Sequence, residues 1–89
     1  MKQKILDAIK DFVSICNTMF KLGAADFAKE YFPKLVENNW DDNQTDEHNF
    51  KEIFDLFELN KRLNEIQGNK NAAQTIEVFM DGWLNKIKV

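Results

Sequence analysis

The residues best placed for chemistry lie in DDNQTDEHNFKE, residues 41–52, where Asp41, Asn43, Thr45 and Glu52 fall at the oxygen-ligand positions of an EF-hand-type calcium loop. Two departures count against the ion. Such a loop needs glycine at its sixth position for the sharp turn, and Asp46 stands there. Its eighth position is normally aliphatic, and here it is His48. No second loop of this kind occurs in the sequence to pair with it, so the stretch reads as a solvated turn and no metal is expected.

Other reactive groups are scarce. His48 is the only histidine, Cys16 the only cysteine and Ser14 the only serine, while Gly23, Gly68 and Gly82 lie too far apart to form a phosphate-cradling loop. Cys16 sits in the middle of an apolar arc and reads as a small buried hydrophobe. Acidic residues are plentiful but fall on the polar faces of helices, where charges are usually just solvated. With no grouping of acid, base and nucleophile, no catalytic residue and no cofactor is expected, and the chain reads as a binding protein and not an enzyme.

The chain has 89 residues, 44% of them hydrophobic and 12% aromatic, including eight Phe and two Trp. This is enough apolar material for a single domain to fold without a metal or disulfide. Fifteen acidic residues against twelve basic ones give a net charge of −3. The Lys and Arg residues are dispersed, so no direct binding to DNA is expected. One cysteine rules out an intramolecular disulfide and fits a reducing compartment. The opening MKQKILDAIKDF is charged at nearly every turn, unlike a signal peptide, and no run of apolar residues is long enough for a membrane span. A cytoplasmic location is expected.

The periodicity is helical almost throughout, which predicts an all-α fold: a compact orthogonal bundle of five to six short helices in one domain spanning residues 1–89. A first helix is expected from Lys2 to Lys21, closed by Gly23 as a C-terminal cap. A second should begin near Ala24 or Ala25 and stop before Pro33, which should open a short helix from Lys34 to Asn39. Trp40 to Asn49 reads as a polar loop ending in a helix cap at Asp46. In FKEIFDLFELNKRLNEI, Phe50, Ile53, Phe54 and Phe57 share a face while Leu59, Leu63 and Ile66 point elsewhere, so a break is expected near Leu59 or Asn60. QGNKN is a turn. The last helix carries Ala72, Ala73, Ile76, Phe79, Met80, Trp83, Leu84 and Ile87 on one stripe, with Val78 outside it.

The first helix holds the clearest functional signal. Its apolar side chains span an arc of roughly 200°, whereas a surface helix needs little more than ~100° to face its own core. Leu6, Ile9, Val13, Cys16 and Phe20 form one side of the arc, and Ala8, Phe12, Ile15, Met19 and Leu22 the other. If the first side faces the core, the second is free to meet a partner helix or a second copy of the chain. The alternative is that the remaining helices wrap the first one completely.

IKDFVSICNTMFKLGAADF, residues 9–27, resembles without a gap the first helix and turn of the AsiA family, small anti-sigma factors of T-even-type bacteriophages. EHNFKEIFDL is similar to the start of the family's fourth helix, and IEVFMDGW fits an I-x-x-F-x-x-G-aromatic pattern near its C-terminus. The resemblance implies six short helices, self-association of the free protein as a homodimer, and binding of region 4 of the host's primary sigma factor within RNA polymerase. Transcription from promoters that depend on a −35 element would then be inhibited. A phage activator of the MotA type would redirect the enzyme to middle promoters.

At matching positions the partner contacts implied are Asp11, Ile15, Met19, Lys21 and Leu22, with Leu35 and Trp40 beside them, and Phe12 shares their side of the wheel. The resemblance is looser in the loop from Trp40 to Asp46 and in the LNKIKV that follows Trp83, so the activator contact is implied less directly than sigma binding. From a different class, a small helical immunity or antitoxin-like protein that blocks a toxin shares the acidic balance and the short helices.

Overall fold

In a computed structural model, which describes residues 1–19 and 22–87 and all of their side chains except those of 17–19 and 22, the chain forms four α-helices. They are α1 (Lys2–Met19), α2 (Leu22–Asn39), α3 (Asp46–Ile66) and α4 (Lys70–Gly82), followed by a short 3-10 turn at Leu84–Lys86. The described residues contain no strand, as the periodicity predicts. The chain folds into one globule with a radius of gyration of 12.5 Å, close to the ~13 Å expected of a compact domain this size.

Two helical hairpins make up the globule. α1 and α2 pack along each other, with Lys2 Nζ 2.9 Å from Glu37 Oε2 where the start of one meets the end of the other. α3 and α4 form the second pair, and α2 also touches both of them. Each helix lays a seam of large residues into one core at helical spacing. These seams are Ile5, Ile9, Phe12 and Cys16 from α1, then Ala25, Ala28, Phe32 and Val36 from α2. The second hairpin adds Ile53 and Phe57 from α3, and Ile76, Phe79 and Met80 from α4 with Leu84 beyond it. Phe12, Phe32, Phe57 and Phe79 meet at the centre, with ring centroids 5.0–6.1 Å apart where they touch.

Four long helices replace the five or six short ones expected, and each difference has a local cause. Pro33 lies inside α2 and starts nothing. A proline in a helix interior costs about 3 kcal/mol or more, but the residue before it, Phe32, is 2% exposed and touches four other rings. Burying such a ring is worth about 1.5–3 kcal/mol, and each ring pair adds roughly 0.5–1.5, so packing holds the helix through the proline. Gly23 is not a left-handed cap either, because it belongs to the first turn of α2. The expected end at Lys21 lies outside the described residues.

α3 likewise runs unbroken past Leu59 and Asn60. The amide of Asn60 donates to the Leu56 carbonyl at 2.8 Å, and that of Asn64 to the Asn60 carbonyl at 2.8 Å. These side chains satisfy their polar groups within the helix and do not interrupt it. The turn at Gly68 was legible: the glycine takes φ +82°. Around it the Asn69 amide donates to the Asn64 carbonyl at 2.8 Å and the Gly68 amide to the Glu65 carbonyl at 3.1 Å. That pair of bonds is the Schellman closure, which needs a residue in the left-handed region.

Candidate protein-binding faces

The loop from Trp40 to Thr45 is built for capping. The Asp41 carboxylate accepts from the Asn43 amide at 2.9 Å, and the Thr45 hydroxyl accepts from the His48 amide at 3.1 Å as the cap of α3. The cap is therefore one residue earlier than Asp46. Asn49, expected to be part of a polar loop, lies inside α3 and is 2% exposed. Its side-chain amide donates to the Asp41 carbonyl at 2.8 Å, and its oxygen accepts from the Asp41 backbone N–H at 3.0 Å. This staples the loop to the helix. Two of the would-be calcium ligands, Asp41 and Thr45, thus hold backbone amides, and Glu52 stands exposed on α3. Among the described residues no group of three His, Cys, Asp or Glu side chains is placed to hold a metal.

On α1 the seam facing the core runs along Ile5, Ile9, Phe12 and Cys16, the middle of the apolar arc. Leu6 and Val13 flank it on one side and Ala8 on the other, all partly buried against the same core. Among the described residues the two-sided division drawn from the wheel does not hold, because Phe12 of one side is buried with Ile9 and Cys16 of the other. The outward face is polar, formed by Lys4, Asp7, Lys10, Asp11 and Ser14.

Phe12, set on the partner side by periodicity, is 1% exposed, stacked on Phe32 and edge-on to Trp83 with a centroid distance of 4.8 Å. Asp11 is exposed, and its carboxylate accepts the indole N–H of Trp83 at 2.9 Å, tying α1 to the end of α4. Ile15 is partly buried at the edge of the polar face. The side chains of Met19 and Leu22, and all of Lys21, lie outside the described residues. Leu35 is partly buried and lines a small cavity of about 210 Å³ with Tyr31, Asn60 and Asn64. Trp40 packs half-buried against the core just past α2. Asp11 and Ile15 share a helix, whereas Leu35 belongs to the groove between α2 and α3. Of the expected contacts whose side chains are described, Asp11, Phe12 and Ile15 thus lie on α1, and Leu35 and Trp40 on and just past α2.

A larger groove, about 700 Å³, opens between α1, the first turns of α2 and the start of α4, with Phe12, Cys16, Phe27, Lys70, Thr75 and Val78 among its walls. Burial pushes the Cys16 thiol above its ordinary range, which keeps it protonated and a poor nucleophile. That agrees with its reading as a buried hydrophobe.

Among the described residues the exposed large apolar side chains are Tyr31 on α2 and three on α3. Leu59 is 51% exposed, Leu63 44% and Ile66 81%. The same three residues drift off the Ile53–Phe57 face on the wheel. That drift was visible in the sequence, but it marks an outer stripe on a continuous helix and not a break.

No family model, curated protein or solved structure matches the chain.

Proposed function

We propose that the protein is a non-catalytic binding module of the anti-sigma kind, which captures region 4 of a bacterial primary sigma factor and so represses promoters that depend on a −35 element. The observation that supports this reading is that the three segments resembling the AsiA family meet in one core. Phe12 of the first touches Phe79 and Trp83 of the third, Asp11 bonds Trp83, and Ile53 of the second is buried in the same cluster.

On this reading the contact centres on Asp11 and Ile15 at the rim of α1 and on Met19, Lys21 and Leu22 at the α1–α2 connection. Phe12 serves the core instead. The free protein self-associates through the same end of α1, and redirection of the polymerase by an activator of the MotA type is the further role that the resemblance implies. The expected setting is the cytoplasm of the bacterial host.

In vitro transcription with purified holoenzyme tests the reading. Promoters needing a −35 element should be repressed and extended −10 promoters largely spared, with the repression relieved by Ile15→Glu, since a charge placed at an interface anchor typically costs at least ~2 kcal/mol, a factor of roughly 30 in affinity. Equal output at every promoter, with and without the protein, would refute it and favour an inhibitor of a toxin.

A further inference from the structure

Helix α3 changes character halfway along. On its inner side the large apolar residues end at Phe57, and Asn60 and Asn64 continue that line toward the cavity beside Tyr31. On its outer side the order is reversed, because Glu52 and Asp55 stand exposed in the first half and Leu59, Leu63 and Ile66 in the second. These five residues follow one another at intervals of three and four, so they lie along one face. From Glu52 to Ile66 that face is about 21 Å long, some four turns of helix.

Charge is as unevenly distributed as apolar surface. α3 contains six acidic residues and three basic ones, an excess as large as the net charge of the whole chain. Two of its three cations are already engaged, with Arg62 Nε 3.2 Å and Lys61 Nζ 3.7 Å from the same Glu58 carboxylate. Among the described residues Glu52 and Asp55 have no ion-pair partner, though Lys51 stands exposed beside them without one, so the face is an apolar stripe with an acidic end.

We infer that this face docks an amphipathic helix of another protein, whose apolar side covers Leu59, Leu63 and Ile66 and whose basic residues, gathered at one end, meet Glu52 and Asp55. Charge selects that occupant over a second copy of the chain. A parallel copy would set the acidic ends against each other. An antiparallel copy would set Glu52 and Asp55 against the partner's Ile66 and Leu63, where the nearest cation, Arg62, is already shared with Glu58 and the next, Lys70, belongs to α4. A partner with lysines at one end of its apolar stripe satisfies both halves at once. The inference does not depend on the sigma reading, which concerns α1.

Fluorescence anisotropy with a synthetic peptide tests it. The probe is a labelled helix of about four turns with leucines at i, i+3, i+4 and i+7 spacing and lysines confined to one terminal turn. A control peptide carries glutamates in place of the lysines. The whole protein should bind the lysine peptide with micromolar affinity, weakening as salt rises. Leu59→Gln/Leu63→Gln should lose at least about tenfold in affinity. Glu52→Gln/Asp55→Asn should lose several-fold together with most of the salt dependence. All four side chains are exposed, so circular dichroism should stay that of the wild type. The inference is overturned if the wild type fails to bind at ~100 μM peptide, if the glutamate peptide binds equally well, or if the leucine variant binds unchanged. It is also overturned if the wild type sediments as a dimer that Leu59→Gln/Leu63→Gln dissolves.

Discussion

Helices α1 and α3 both carry more apolar residues than a single core-facing stripe requires, and they place the excess on opposite sides of the surface. α1 lies against α2 and also touches the rings of α4, so Ile5, Ile9, Phe12 and Cys16 are enclosed while Leu6, Ala8 and Val13 pack as flanks. The second half of α3 extends beyond the core, its inner line given over to Asn60 and Asn64, and Leu59, Leu63 and Ile66 remain outside. An apolar excess read from a helical wheel is therefore ambiguous. It marks a partner's place only on a helix whose neighbours run out before its apolar residues do.

If this contrast is right, substitutions on the two helices should differ sharply in their effect on stability. Phe12→Ala opens a cavity among Phe32, Phe79 and Trp83 and should destabilise by about 3–5 kcal/mol in urea unfolding. A loss under ~1 kcal/mol would mean that Phe12 is not enclosed and would restore it to the partner side. Asn49→Ala removes both bonds to the Asp41 backbone, leaving the Asp41 N–H without that acceptor while its carbonyl keeps only the Gln44 amide at 3.0 Å. The expected loss is about 1–3 kcal/mol, and amide exchange should show the Trp40–Thr45 loop opening ahead of the helices.

Smaller effects sharpen the picture of α3. Gly68→Ala forces a side chain into the left-handed region at φ +82° and should cost about 1 kcal/mol. No neighbouring atom lies within 4 Å of the added Cβ, so backbone strain alone is being measured. Leu59→Gln/Leu63→Gln should change thermal stability by no more than ~0.5 kcal/mol per site, an order of magnitude below Phe12→Ala. A large loss there would place these leucines in the core.

Much of this was legible in the sequence wherever local pattern and tertiary packing agree. The stripe of Ala73, Ile76, Phe79 and Met80 on α4, the turn at Gly68 and the buried Cys16 all follow from spacing and residue type, whereas Trp83, Leu84 and Ile87, expected to continue that helix, lie beyond its end at Gly82. The pattern misled where long-range contacts override a local preference. Pro33 signals a helix start, but the rings around Phe32 decide otherwise. Asn49 looks like a loop residue because nothing in the local sequence shows that its amide reaches back eight residues to Asp41. Phe12 could have lain on either side of its wheel, since the choice depends on where Phe32, Phe79 and Trp83 arrive. The off-face positions of Leu59, Leu63 and Ile66 were in view, and only their meaning required the unbroken helix.

The central claim, that the second half of α3 carries outward apolar surface whereas the Ile5–Cys16 seam of α1 is enclosed, is tested most directly by methyl NMR with a soluble nitroxide added to the free protein at low concentration. Methyl signals of Leu59, Leu63 and Ile66 should broaden strongly, while those of Ile5, Ile9 and Ile53 stay sharp. Protected Leu59, Leu63 and Ile66 methyls together with broadened Ile5 and Ile9 would contradict the account and return the exposed face to α1.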